Sequence, residues 1–73
     1  MERFLQYSLS HDRPIRLIIQ EDDGRLRQVS AVVEERGEGG VRLYILRPPR
    51  RITLPEDRIL AASYVPKDEG LAE

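Results

Sequence analysis

Residues able to perform chemistry are sparse in this chain. It has one histidine, His11, and no cysteine. His11 stands beside Asp12, and an imidazole oriented by a carboxylate is a common form of general base. Adjacent residues rarely point at one another, however, and no elbow-type motif presents a serine nucleophile. An exposed surface histidine is the simpler reading. Without cysteine there is no thiolate metal site and no disulfide. Carboxylates cluster at Glu21-Asp22-Asp23 and at Glu34-Glu35. The first cluster falls at an expected hairpin turn and lacks the alternating ligand spacing of a calcium loop. Gly37, Gly39 and Gly40 are expected to join two strands, where phosphate-cradling glycines would lead into a helix. The residues thus predict no enzyme, no cofactor and no metal.

Arginine is the exception to this poverty. Eleven of the 12 basic residues are arginine, whose rigid planar fork suits carboxylate, phosphate and base edges. Arg47, Arg50 and Arg51 flank Pro48-Pro49, Arg42 precedes them and Arg58 follows. Proline stiffens this stretch and lowers the entropy lost when its arginines engage a ligand. Tyr44 would share a strand face with Arg42, giving a surface for stacking and phosphate pairing. The ligand-binding candidates are Arg58, Arg51, Arg50, Arg42 and Tyr44. The competing reading is that these guanidiniums pair with Glu34, Glu35, Glu56 or Asp57, or only solvate the surface. The 13 acidic residues nearly cancel the basic ones, leaving a net charge of −1. That argues against a strong nonspecific nucleic-acid binder. Richness in arginine and glutamate also fits genome composition or heat adaptation.

The elements that would position these groups are short. Phe4, Leu5 and Leu9 give residues 2–10 a weak helical pattern, ended by a turn at His11-Asp12-Arg13 and by Pro14. Residues 15–20 read as a first strand, and Asp22-Asp23-Gly24 as a hairpin turn in which Asp and Gly both tolerate positive φ. Residues 26–35 form a second strand, with Val29, Ala31 and Val33 on one face and Gln28, Ser30 and Glu34 on the other. A looser glycine turn leads to a third strand at 41–46. Pro48-Pro49 marks a tight connection or an edge. A fourth strand follows at 50–54, one 3₁₀ turn at 55–58 and a fifth strand at 59–65, closed by Pro66. Residues 67–73 read as a frayed tail.

Seventy-three residues make one domain, residues 1–66, with a small core. Five short strands in a flat sheet would leave two exposed edges, so curling into a small barrel is expected. The expected core is Ile15, Leu17, Ile19, Val29, Ala31, Val33, Leu43, Ile45, Ile52, Leu54, Ile59 and Leu60, with Phe4, Leu5 and Leu9 plugging an open end. The fold class is all-β: a five-stranded barrel with a short N-terminal helix.

This order of elements resembles the small SH3-like and Sm-like barrels, which commonly bind RNA, DNA or peptides. A narrower likeness is to the WYL domain of bacterial transcriptional regulators, itself an Sm-like barrel. Leu43-Tyr44-Ile45-Leu46 looks like that family's aromatic-aromatic-leucine strand. Thr53, Leu54, Asp57, Arg58 and Ile59 look like its later arginine-containing segment, with Ile52 where the first arginine would be and Arg51 one place before. The resemblance implies a ligand role for Arg58, then Arg51, with Tyr44 as a supporting face.

Two functional readings follow. One is a non-enzymatic module for nucleic acid or a small anionic ligand, in which Arg42, Arg51 and Arg58 converge on one unpaired face. The other is a structural or protein-interaction domain, acting as a homodimer or accessory subunit. It would show exposed apolar groups around Val32, Leu46 or Tyr64 and arginines tied up in ion pairs. No apolar stretch is long enough for a signal peptide or a membrane span, which with the lack of cysteine predicts a cytoplasmic protein and no membrane partner.

Overall fold

Alternation of apolar and polar residues builds the strands, and two interruptions of that alternation shape the sheet. The computed structural model describes residues 2–65, so the predicted tail and the closing role of Pro66 lie outside the described residues. The order is α1 (Glu2–His11), β1 (Ile15–Gln20), β2 (Leu26–Gly37), β3 (Gly40–Leu46), β4 (Pro49–Leu54), a 3₁₀ turn (Glu56–Arg58) and β5 (Ile59–Tyr64). All strand pairs are antiparallel, and the sheet runs β4-β3-β2-β1-β5.

Leu5 and Ser8, three residues apart on α1, are buried, and Phe4, Tyr7 and Leu9 pack against the core. The helix stops at Asp12, whose φ of 55° is left-handed, and Pro14 follows two residues later, as at many helix ends. The Asp22-Asp23-Gly24 turn forms as expected, but only Gly24 takes positive φ, at 89°. Its N–H donates to the Glu21 carbonyl at 2.9 Å, and the Asp23 carboxylate accepts from the Arg25 N–H at 2.9 Å. The second turn is tighter than the sequence suggested. Gly37 pairs directly with Gly40 across a two-residue connection. Gly40 has φ 119°, and a Cβ there would lie 2.5 Å from the Leu54 carbonyl oxygen.

Ten of the twelve expected core residues are buried, and Leu5 and Val41 join them. Ile52 is only partly buried. Leu60 is a correction: it is 47% exposed. The β1–β5 register passes from Ile18↔Ala61 to Ile19↔Ile59, skipping Leu60. A bulge thus turns Leu60 out of the alternation that placed it inside.

The expected barrel does not close: β4 and β5 end the strand order and do not pair with each other. The sheet nevertheless has to curl. A flat five-stranded sheet would hold its edge strands about 19 Å apart. The link from Leu54 to Ile59 includes the 3₁₀ turn Glu56–Arg58, whose rise of about 2 Å per residue leaves a reach well short of that span. Curvature brings the ends of β4 and β5 toward each other without joining their ladders.

Candidate functional site

The five candidate side chains fall in two places. Arg42, Tyr44 and Arg51 lie together on the outer face of β3 and β4. Tyr44 stands directly across from Arg51, and the guanidinium carbon of Arg51 lies 5.1 Å from the Tyr44 ring centroid, within cation–π range. Arg50 and Arg58 line a separate cleft of about 300 Å³ with Ile19, Ile52, Glu21 and Asp22. The convergence of Arg42, Arg51 and Arg58 on one face is therefore absent.

A bulge explains the charge of the first group. The β2–β3 register passes from Val33↔Leu43 to Glu35↔Arg42, which leaves Glu34 as the extra residue. Two carboxylates thus stand opposite one arginine. Arg42 lies 3.0 Å from Glu35 and 3.7 Å from Glu34. Arg51 Nε donates to Glu34 Oε1 at 2.8 Å. This hydrogen bond, reinforced by the charge of Glu34, raises the pKa of the Arg51 guanidinium further. Leu9, Asp12 and Val33 complete the wall of an open depression beside these groups.

In the second place, Arg58 is bonded to Asp22 at the first hairpin turn. Arg50 has no carboxylate partner among the described residues. His11, weighed as a base from sequence, ends α1 in an exposed position, with its ring centroid 5.1 Å from that of Tyr7. Among the described residues no three His, Asp or Glu side chains gather as a metal site. No described helix is long and apolar enough to cross a membrane.

Sequence reasoning missed two features. The first is a cluster at the foot of α1. Arg36 donates to both carboxylate oxygens of Glu2, at 2.8 and 2.7 Å, and to Glu56 at 3.1 Å. The hydrogen bonds from Arg36 hold the Glu2 carboxyl below its ordinary value. They also raise the Arg36 guanidinium. The second is a groove on the outer face lined by Arg16, Gln28, Ser30, Leu46 and Arg47. The outward phase of Arg16 on β1 was legible; its meeting with the end of β3 was not.

No protein family, curated protein or solved structure matches this chain.

Proposed function

We propose that this domain is a non-enzymatic binding module that recognises another polypeptide, a second copy of itself first of all, through the open edges of its sheet. One observation carries this reading: the strand order ends in β4 and β5, and neither has a second strand partner among the described residues. Each is six residues long, so each offers about 20 Å of backbone edge, and an unpaired edge is a template for a further strand.

Side chains support the same reading. Leu60 and Tyr64 on β5 are 47% and 51% exposed. Both edges also carry devices that restrict pairing: Pro49 opens β4, and the bulge at Leu60 breaks β5. The stretches left, residues 51–54 and 61–64, suit a matched partner more than indiscriminate aggregation. The Sm-like and SH3-like resemblance belongs to this proposal, since such small barrels include peptide binders. Light scattering on the full chain at high micromolar concentration tests it. A mass above the 8.5 kDa of one chain is expected, with Leu60→Lys and Thr53→Lys each shifting it toward monomer. A monomer at every concentration rejects self-pairing.

A second reading places a nucleic-acid or anionic ligand on Tyr44, Arg51 and Arg42. The stacked Arg51–Tyr44 pair favours it. Such a ligand must displace Glu34 from both arginines, so affinity should be low and fall steeply with salt. Absence of binding by a labelled oligonucleotide at low salt removes this reading.

A further inference from the structure

Arg50 breaks the apolar phase of its strand. Ile52 and Leu54 pack in the core from one face of β4, and Arg50, two residues before Ile52, continues that face. It stands directly across from Ile45, which is fully buried. An inward charge on an edge strand discourages indiscriminate pairing. Here it also borders the cleft of about 300 Å³ that opens where β4 faces the end of β1. That volume is near the lower end of the range for small-ligand sites.

Ile19, Ile52 and Leu54 supply the apolar surface of the cleft, and charged groups of both signs stand around it. Two of those charges answer each other, since Arg58 is bonded to Asp22. The other two do not. The Arg50 side chain has no partner among the described residues. Glu21 is held only through Oε1, by Arg27 at 3.4 Å, longer than the usual N–H···O range. A carboxylate has two oxygens and about four lone-pair sites, so Glu21 keeps acceptor capacity to spare. Arg50 and Glu21 thus line one cleft, opposite in charge and not paired with each other. An anion alone would meet Glu21 there, and a cation alone would meet Arg50; a ligand carrying both charges satisfies both.

We propose that this cleft is a binding site for a small zwitterion with an apolar side chain, an α-amino acid of the leucine type. The ligand's carboxylate meets the Arg50 fork, which can donate two parallel N–H···O bonds. Its ammonium donates to Glu21. Its side chain lies against Ile52, which the unclosed sheet leaves only partly buried. The Arg58–Asp22 pair, neutral in sum, forms part of the wall. The site goes beyond edge pairing and does not need it. Pairing uses backbone groups of residues 51–54 and 61–64, whereas the site uses the side chains of Arg50 and Glu21, so either proposal can fail alone.

Backbone amide NMR on the full chain, titrated with leucine, tests the assignment. Saturable shifts centred on Glu21, Arg50 and Ile52 are expected, with a Kd of about 1 mM or tighter. Isocaproate lacks the ammonium, isoamylamine the carboxylate and glycine the apolar body, and each should bind about tenfold or more weakly than leucine. Arg50→Gln and Glu21→Gln should each weaken leucine by about tenfold or more, whereas Arg51→Gln, on the outer face, should leave it unchanged. An unchanged spectrum of the rest of the chain checks that each variant keeps its fold. Light scattering on the same samples separates the two proposals: leucine binding by a monomer rejects edge pairing alone, and an oligomer without leucine shifts rejects the cleft alone. Non-saturating shifts, isocaproate or isoamylamine binding as tightly as leucine, shifts centred on Tyr44 and Arg51, or an unaffected Arg50→Gln variant would each overturn the proposal.

Discussion

Ser8 is the buried polar residue of the core, fully removed from solvent. Its hydroxyl donates to the Arg13 carbonyl at 2.6 Å and accepts from the Val33 N–H at 2.8 Å. One side chain thus closes the end of α1 and ties it to β2. Ser8→Ala leaves a buried N–H without its acceptor, so a loss of about 1–3 kcal/mol is expected. Urea denaturation measures it, and a change within error would mean that Val33 finds another partner. Glu2 acts at the same scale from the surface. Its carboxyl is held low by Arg36, so its folded-state value lies below its unfolded one. The stability it contributes is present above pH 4.5, the ordinary value, and is lost as pH falls through the lowered value. Glu2→Gln should therefore make the acid limb of the stability curve shallower. An unchanged acid slope would exclude the Glu2–Arg36 pair as its source.

At the scale of elements, the two bulges and one glycine decide where side chains go. The Glu34 bulge sets two acids opposite Arg42 and lets Glu34 reach Arg51. The strip is consequently a closed charge network with only surface-level worth, since exposed pairs contribute about 0–1 kcal/mol. Deleting Glu34 should restore regular β2–β3 pairing past Val33, with Glu35 still opposite Arg42 and Arg36 opposite Val41, and leave one carboxylate facing Arg42 in place of two. Amide exchange patterns along residues 33–37 would register that change. Gly40 is constrained twice, by its φ of 119° and by the approach of the Leu54 carbonyl. Gly40→Ala should cost more than the about 1–2 kcal/mol of an unfavourable φ alone, because the β3–β4 backbones must also separate. Thermal unfolding of that variant measures the loss. A loss no larger than that of Gly39→Ala, where a Cβ meets nothing within 4 Å, would show that the backbone gives way cheaply.

At the scale of the whole molecule, curvature without closure is the central feature. The short link through Glu56–Arg58 joins strands that lie at opposite ends of the sheet and so forces it to curl, yet their ladders do not meet. Closure would satisfy the backbone edges internally; the open form leaves that satisfaction to solvent or to another chain. Self-association should accordingly raise the melting temperature with protein concentration. A melting temperature that is independent of concentration across a hundredfold range would agree with a monomer and reject the edge-pairing proposal. Aromatic packing at one end supports the same architecture, since Tyr64 sits edge-on to both Phe4 and Tyr7, at 4.7 and 5.1 Å. This cluster anchors the last strand to the first helix.

Much of the fold was legible because its signals are local. β-branched content placed β1 and period-two alternation placed β2 and β3, all nearly to the residue, Asp23-Gly24 marked the hairpin, and the proline after Leu54 marked the 3₁₀ turn. These follow from each residue's own backbone preferences and the two faces of a strand. Bulges carry no comparable signal. Leu60 reads as core because it continues an apolar run, and only its pairing with β1 shows that the register skips it. Glu34 reads as an ordinary outward acid, and only the β3 register sets it beside Glu35 against one arginine. The candidate site divided for the same reason: Arg42, Arg51 and Arg58 are close in sequence, but β4 and the 3₁₀ turn carry them to different faces. What the sequence alone determined was the set of elements, the inward and outward faces of β1, β2 and β3 and the poverty of catalytic groups. The tertiary structure decided which arginines met acids and that the sheet curls without closing. Those outcomes depend on register and on the reach of one short link, which are relations between distant residues.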